Sequence, residues 1–215
     1  SKRRQQAEIR TARMKALNSH PGGLASLFSQ VLPSDLLDDL DQSKRQRHFG
    51  NKPVVWAWLY QILHSNAPCS AGLSYIQSWS ALSRLPVPAS DTSSYCQARK
   101  RLPVEFVDRV LDKSRQALQQ SATGKSRWKG MRLMALDGSK LDLADTQANQ
   151  SEYPQHSSQK TGCGYPMMGL AALFDLGTGS LEALEFGEQT GHDIVHAPNL
   201  LKSCQDGDLL LGDRG

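Results

Sequence analysis

The hydrophobic pattern changes its period at residues 121–130, and this change limits the possible folds more than any other feature of the sequence. Before it, apolar residues recur three and four positions apart, as in Leu24, Leu27 and Phe28, which is the spacing of a helix face. After it, continuous apolar runs lie between Gly-rich turns, which is typical of buried strands. The sequence therefore predicts an all-α first half and a second half that mixes strands with a helix.

Proline and capping residues divide the first half into helices. A helix that follows Pro33 has Ser34 as its candidate N-cap, and Pro53 suits the first position of the next one. Ser90 or Asp91 can cap a short helix, Thr92–Arg101. The remaining apolar positions predict a helix around Leu73, Ile76 and Trp79, and a long helix, Val104–Gln120, with one apolar face formed by Val107, Val110, Leu111 and Leu118.

The second half is predicted to have the element order β-β-β-α-β. Gly177-Thr178-Gly179-Ser180 is a hairpin signal between the second and third strands. A right-handed helical crossover would place the last strand parallel to the first. The expected elements are strands at 131–136, 165–176, 181–186 and 208–212, and a helix at 194–204. The expected organisation is a basic arm (1–23), a helical domain (24–120), a linker (121–130) and a partial α/β domain (131–215).

Charge is divided unequally between the two halves. Residues 1–130 hold 20 Lys and Arg against 9 Asp and Glu, a net charge of +11, whereas residues 131–215 hold 5 against 12, a net charge of −7. This asymmetry suggests a polyanion-binding part and a cation-holding part, although a solvated charge imbalance without function explains it equally well. The four cysteines form no CxxC motif, so we expect a reduced, cytoplasmic protein.

Two aspartates follow predicted strands. Asp137 comes directly after the strand that ends at Leu136, and Asp213 directly after the strand that ends at Gly212. If those strands are parallel neighbours, the two carboxylates meet at one sheet edge and repel each other unless a cation neutralises them. Such a pair suits a hard divalent ion such as Mg²⁺. Two aspartates that only cap turns would give the same pattern.

A basic helix end is the clearest nucleic-acid signal. Arg99, Lys100 and Arg101 end the short capped helix, where they would reach DNA phosphates while Ser94 and Gln97 lie near base edges. A solvated helix end, where cations suit the helix dipole, is the alternative. His192 and His196 have a zinc-binding spacing, but we expect His192 to cap a helix instead.

Several blocks of the sequence together resemble the DDE transposases of the insertion sequence four family. The block Ala135–Thr146 resembles the first-aspartate motif of that family, and Asp206–Gly215 resembles the second. Gly164-Tyr165-Pro166 and the strand that continues through Leu173–Gly179 resemble the blocks between them. Ser93–Leu102 resembles part of the family's DNA-binding region. The resemblance extends over most of residues 30–215.

The resemblance implies a helical DNA-binding domain followed by an incomplete ribonuclease H-like mixed sheet, with Mg²⁺ or Mn²⁺ as cofactor. Asp137 and Asp213 would be the first two metal ligands and catalytic residues. The family's third acid is a later glutamate, and the given sequence ends before it, so we expect a truncated chain. The implied function is cleavage and transfer of double-stranded DNA at insertion-sequence ends, by a nucleoid-associated homodimer on paired ends. A truncated, inactive inhibitor of transposition is the alternative.

Overall fold

The computed structural model describes residues 21–32, 37, 49–160, 162–188 and 198–212. These residues form two compact units that divide the chain between Ala117 and Leu118. Within this described part of the chain, no helix has both the length and the apolar character needed to span a membrane.

Helices are the only regular secondary structure among the described residues of the first unit, as the hydrophobic spacing predicts. They are α1 (Pro21–Leu27), α2 (Asn51–Leu63), α3 (Cys69–Leu82), α4 (Ser93–Lys100) and α5 (Val104–Gln120). The predicted bounds of α5 are confirmed. Helix α2 begins two residues before Pro53, which stays in the first turn because backbone N–H groups there need no partner within the helix. Ser34 lies outside the described residues.

The core of the first unit is closed around Tyr95 of α4, which is fully buried. Its hydroxyl donates to Gln61 Oε1 at 2.5 Å, and Gln61 Nε2 donates to the carbonyl of Ala67 at 2.6 Å. Both polar groups are therefore hydrogen-bonded within the core, as buried polar groups normally are. The apolar side chains buried with Tyr95 include Leu24, Leu37, Val54, Ile76, Phe106 and Val110.

One prediction for α5 is wrong. Leu111 is 44% exposed, whereas Phe106 and Val110 are buried. Residues four apart lie above one another on a helix, so Phe106 and Val110 define the buried stripe and Leu111 is rotated about 100° from Val110.

The second unit contains a four-stranded mixed sheet with strand order β3-β2-β1-β4. Its strands are β1 (Leu133–Asp142), β2 (Met167–Asp175), β3 (Ser180–Glu188) and β4 (Leu209–Gly212). β1 pairs with β2 and β2 with β3 in antiparallel fashion, whereas β4 is parallel to β1. The last strand is parallel to the first, as predicted, and the described chain is a mixed α/β protein.

Two elements between the strands differ from expectation or were not predicted. A short helix, α6 (Gln147–Glu152), follows β1, and its N-cap Thr146 accepts a hydrogen bond from Asn149 N at 3.2 Å. The helix expected at 194–204 is described only from residue 198, where three helical residues lead into a 3₁₀ turn, Leu201–Ser203. Residues 194–197 lie outside the described residues.

The β2–β3 connection is the tight hairpin that the sequence predicts. Gly179 has φ of +75°, which a residue with a side chain rarely adopts. The register then shifts from Phe174↔Leu181 to Leu173↔Ala183, so Glu182 is an extra residue in a β-bulge. Because the bulge interrupts the alternation of β3, the Glu182 carboxylate lies inside the unit rather than on its surface.

Residues 121–130, expected as a linker, contain ordered turns. A 3₁₀ helix, Gly124–Ser126, is followed by a two-residue reversal in which Lys129 and Gly130 both have positive φ. Trp128 and Met131 exchange backbone hydrogen bonds of 3.0 Å across this reversal. Two positive φ angles in a row are typical of the type I′ turn that matches strand twist, so this turn leads the chain toward β1.

Candidate metal site and nucleic-acid interface

Asp137 lies within β1, not at its end as the sequence predicted. β1 continues to Asp142 because β2 supplies antiparallel partners along its whole length, including Ala172 opposite Asp137. Among the described residues, the parallel pairing with β4 extends as far as the pair Leu136↔Gly212. Asp137 therefore directly follows the last described β1 residue that pairs with β4. Asp213, the residue after Gly212 in the sequence, lies outside the described residues.

The Asp137 side chain is directed away from the core of the second unit. Met134 is fully buried and Leu136 packs against the same core cluster, so both lie on the covered face of the sheet. Successive strand residues alternate between faces, which places Asp137 on the other face. Its carboxylate is exposed, and among the described residues it makes no hydrogen bond or ion pair. It is therefore free to bind a cation.

Asp142 is a natural comparison for Asp137. It is the last residue of β1, is exposed like Asp137, and lies five positions further along the strand. An odd spacing in a strand reverses the face, so the two carboxylates are on opposite sides of the sheet.

The carboxylate of Asp137 suits a hard divalent ion, but Asp137 is the only one of the two predicted metal ligands that lies within the described residues. Carboxylate oxygens with room for water are the ligands that Mg²⁺ prefers. No group of three or more His, Cys, Asp or Glu side chains that could hold a metal occurs within the described ranges. His192 and His196, considered for zinc, fall in the gap between residues 188 and 198.

The expected DNA-contacting residues of α4 and its C-terminal end are all exposed, but they do not share one face. Lys100, Arg101, Ser94 and Gln97 surround the side of the helix opposite the buried Tyr95. Arg99 is rotated about 100° from Lys100.

Arg99 is also tied to the helical core. Its Nη1 lies 3.4 Å from Gln61 Oε1, the oxygen that also accepts from Tyr95. The three basic residues are thus divided into an outward pair, Lys100 and Arg101, and one residue held against α2.

The N-cap position of α4 is Thr92, whose side chain makes no capping hydrogen bond, and Asp91, one of the two predicted caps, acts from the residue before it. Asp91 Oδ1 accepts a hydrogen bond from Ser93 N at 3.1 Å, and the Ser93 hydroxyl donates to the other carboxylate oxygen. The hydrogen bond from the Ser93 hydroxyl is the main cause that lowers the pKa of the Asp91 carboxyl, and the hydrogen bond from Ser93 N is the second cause. The cap fixes where the helix begins and therefore which residues lie outward.

A buried ion pair at the other end of the sheet was not predicted. Arg132, just before β1, donates through Nε to Asp208 Oδ1 at 2.9 Å and through Nη2 to Oδ2 at 2.5 Å. Asp208, just before β4, also accepts from Gln205 N at 2.8 Å. Both side chains are about nine-tenths buried. The Arg132 hydrogen bond lowers the pKa of Asp208, so the pair is fully charged near neutral pH.

Glu182 extends this ion pair into a polar network. Its carboxylate lies 3.8 Å from Arg132 Nη1, accepts from Gln119 Nε2 at 2.9 and 2.8 Å, and accepts from Ser180 Oγ at 2.5 Å. Arg132 and Asp208 are 76 positions apart, and no local sequence pattern links residues at that separation. Sequence reasoning could have noted only that an Arg and an Asp precede the two strands expected to be parallel.

The second unit coincides with a known family domain. Residues 128–215 match the model of the transposase DDE domain. This match includes Asp137, Asp213 and the Arg132–Asp208 pair, and leaves out α4.

Two curated proteins of Escherichia coli (strain K12) are similar to the chain. Transposase InsG for insertion sequence element IS4 is 32% identical over 123 residues, which are 57% of this chain and 28% of InsG. The putative transposase InsZ is 25% identical over 203 residues, which are 90% of this chain and 65% of InsZ. The chain thus spans under two thirds of the length of either relative. No solved structure matches the chain.

The domain match and both relatives point to transposases. Each of the three carries transposase in its description, and the matched range contains the parallel strands β1 and β4. The second unit thus matches a transposase DDE domain, and the chain is similar to two transposases.

Proposed function

We propose that the chain is a transposase of the insertion sequence four family that binds double-stranded DNA at element ends. In this proposal Asp137 and Asp213 hold Mg²⁺ or Mn²⁺ for DNA strand cleavage and transfer. The second unit would be part of a ribonuclease H-like catalytic domain, and the helical unit would bind DNA. A homodimer would hold the two ends of one element.

The register of β4 against β1 is the observation that carries the metal site. Leu136 pairs with Gly212 in parallel, and the next residues in the sequence are Asp137 and Asp213. One further step of the same register would bring the two aspartates side by side. Neighbouring parallel strands lie about 4.8 Å apart, which is close enough for two carboxylates to share one cation.

The chemistry of strand cleavage fits this pair of residues. A bound Mg²⁺ or Mn²⁺ supplies an activated water or 3′-hydroxyl and stabilises the leaving oxygen of the phosphodiester. Asp137 would hold the ion from a strand that pairs with β2 at this position, which keeps a ligand in place better than a loop does. Its open face leaves room for a DNA strand to approach.

Binding of Mn²⁺ to the full chain tests the metal site, with Asp137→Asn as the main variant. We expect unmodified chain to bind Mn²⁺ and Asp137→Asn to weaken binding at least about tenfold, since a charged ligand is lost. Asp142→Asn is the matched control, because it removes an exposed carboxylate from the same strand but the opposite face. Equal Mn²⁺ binding by the unmodified chain and Asp137→Asn would disprove the proposed site.

A further inference from the structure

We propose that the Arg132–Asp208 pair sets the register of β4 along β1, so that Arg132 is a positioning residue for the metal site. The effect of this pair on the metal site rests on the proposed function, in which Asp213 is a metal ligand. Asp213 directly follows Gly212, the last residue of β4, in the sequence. The ion pair itself consists of described residues, each just ahead of its strand.

The β4 ladder alone does not select one register. β4 has four residues, and β1 is its only partner among the described strands. Backbone hydrogen bonds repeat every two residues along a strand, so a shift by two residues forms the same type of ladder and keeps each side chain on its face.

The β4 side chains add little selectivity. Leu209 and Leu211 are two positions apart, so a shift by two in either direction puts one of these leucines in the place of the other. Leu210 and Leu211 are 40% and 44% exposed, so close packing does not hold them in one place.

The Arg132–Asp208 pair, in contrast, is specific for one register. Its two parallel hydrogen bonds need the planar guanidinium opposite the carboxylate, an arrangement with little tolerance for displacement. A shift of β4 by two residues would move Asp208 about 6.6 Å along β1 and break both bonds. It would leave Arg132 buried beside Glu182 without its closest partner. The contact that favours the native register therefore lies at the start of β4, whereas the proposed metal site that depends on this register lies at the end of β4.

Engineered disulfides report this register directly. In a full chain whose four native cysteines are replaced by alanine, Ala135→Cys with Leu211→Cys tests the native register, since these residues are paired. Ala135→Cys with Leu209→Cys, and Leu133→Cys with Leu211→Cys, test shifts by two in either direction. Cα atoms of paired residues are within disulfide reach, whereas a two-residue offset is beyond it.

We expect only the native pair to crosslink when Arg132 and Asp208 are intact. With Arg132→Lys, which keeps the charge but loses the planar fork, or with Asp208→Asn, shifted crosslinks should rise at least about tenfold. The charge swap Arg132→Asp with Asp208→Arg should restore the native crosslink. Lys202→Gln, which alters an exposed cation of the same unit, should change nothing. A purely stabilising role would lower the native crosslink without raising the shifted ones, and this result, or unchanged crosslinks, would overturn the inference.

Mn²⁺ binding separates this inference from the proposed function. Arg132→Lys in the chain with native cysteines should weaken Mn²⁺ binding about tenfold while the circular dichroism spectrum stays unchanged. If the crosslinks shift but Asp137→Asn binds Mn²⁺ normally, the register role holds and the metal site fails. If Asp137→Asn loses Mn²⁺ but Arg132→Lys keeps native crosslinks and affinity, the metal site holds and the register role fails.

Discussion

The Tyr95 side chain is fully buried in the core of the helical unit. Burial raises its pKa to about 12, whereas an unfolded tyrosine has a pKa near 10. Between these values the unfolded chain loses the phenol proton and the folded chain keeps it. The free energy of unfolding should therefore fall as pH rises from about 10 to 12.

Tyr95→Phe tests this linkage by urea unfolding at several pH values. At neutral pH the variant should lose about 1–2 kcal/mol, because Gln61 Oε1 keeps only the longer contact with Arg99. Above pH 10 its stability should fall less steeply than that of the unmodified chain. Tyr165→Phe is the control, since Tyr165 is 64% exposed. Parallel pH profiles for Tyr95→Phe and the unmodified chain would contradict the expectation.

Gly72 of α3 offers a second test at the scale of residues. For Gly72→Ala, helix propensity predicts higher stability and packing predicts lower stability. Alanine in place of a helical glycine usually stabilises by about 1 kcal/mol. A Cβ at Gly72, however, would lie 2.8–2.9 Å from the Tyr95 ring and hydroxyl, which cannot shift without breaking the Gln61 bond. We expect a net destabilisation of about 1–3 kcal/mol in urea unfolding. Ser78→Ala, on the exposed side of α3, should be neutral or slightly stabilising.

Residue-level chemistry was partly accessible from the sequence. Asp137 stands out because it is a carboxylate directly after an apolar run, a pattern shared by metal ligands and by aspartates that cap turns. Arg132 does not stand out, because a lone arginine before a strand looks like any surface cation until its partner, 76 positions away, is known. Burial of charge is decided by tertiary contacts, so the Arg132–Asp208–Glu182 network had no local signal.

At the scale of elements, the basic residues at the end of α4 differ in orientation, and this difference can be tested. Lys100 and Arg101 are outward with Gln97, whereas Arg99 contacts Gln61. If α4 binds DNA, Lys100→Gln with Arg101→Gln should weaken binding and flatten the plot of log affinity against log salt by about two units, one for each lost phosphate contact.

The measurement is a salt titration of binding to a DNA duplex that contains an element end. Lys113→Gln, which removes an exposed cation from α5, is the matched control and should leave the slope unchanged. Arg99→Gln should lower the slope by less than either outward residue. A double variant with an unaltered slope would remove α4 from the interface.

The bounds of α5 and β1 show that the sequence predicts an element's ends when local signals set them, and not when pairing with a distant segment does. The bounds of α5 are predicted correctly, because Pro103 precedes it and its apolar face is regular. β1 extends six residues beyond its predicted end, through polar residues that no strand pattern marks. Those residues are in a strand because β2 pairs with them, and pairing between distant segments overrides local preference. Asp137 was consequently expected at a strand end, although it lies inside the strand.

Across the whole molecule, the change of hydrophobic period separates a helical unit from a sheet unit, and the described hydrophobic cores of the two units differ in size. The described core of the helical unit holds twelve buried apolar residues, whereas the core of the sheet unit holds four, Met134, Ala171, Leu173 and Leu200. Phe186 and Leu211 of the sheet are about half exposed. Buried apolar area is the main source of stability, so the sheet unit should unfold at the lower temperature.

Heating with two optical signals separates the units. Trp128→Phe leaves tryptophan only at positions 56, 58 and 79, all in the helical unit, so fluorescence then follows that unit while far-ultraviolet circular dichroism follows both. Mn²⁺ at about 100 times its dissociation constant should stabilise the unit that binds it by about 2.7 kcal/mol. The lower-temperature transition should therefore move upward and the fluorescence midpoint should stay in place. Asp137→Asn should abolish the movement, and an Mn²⁺-dependent shift of the fluorescence midpoint would place the ion in the wrong unit.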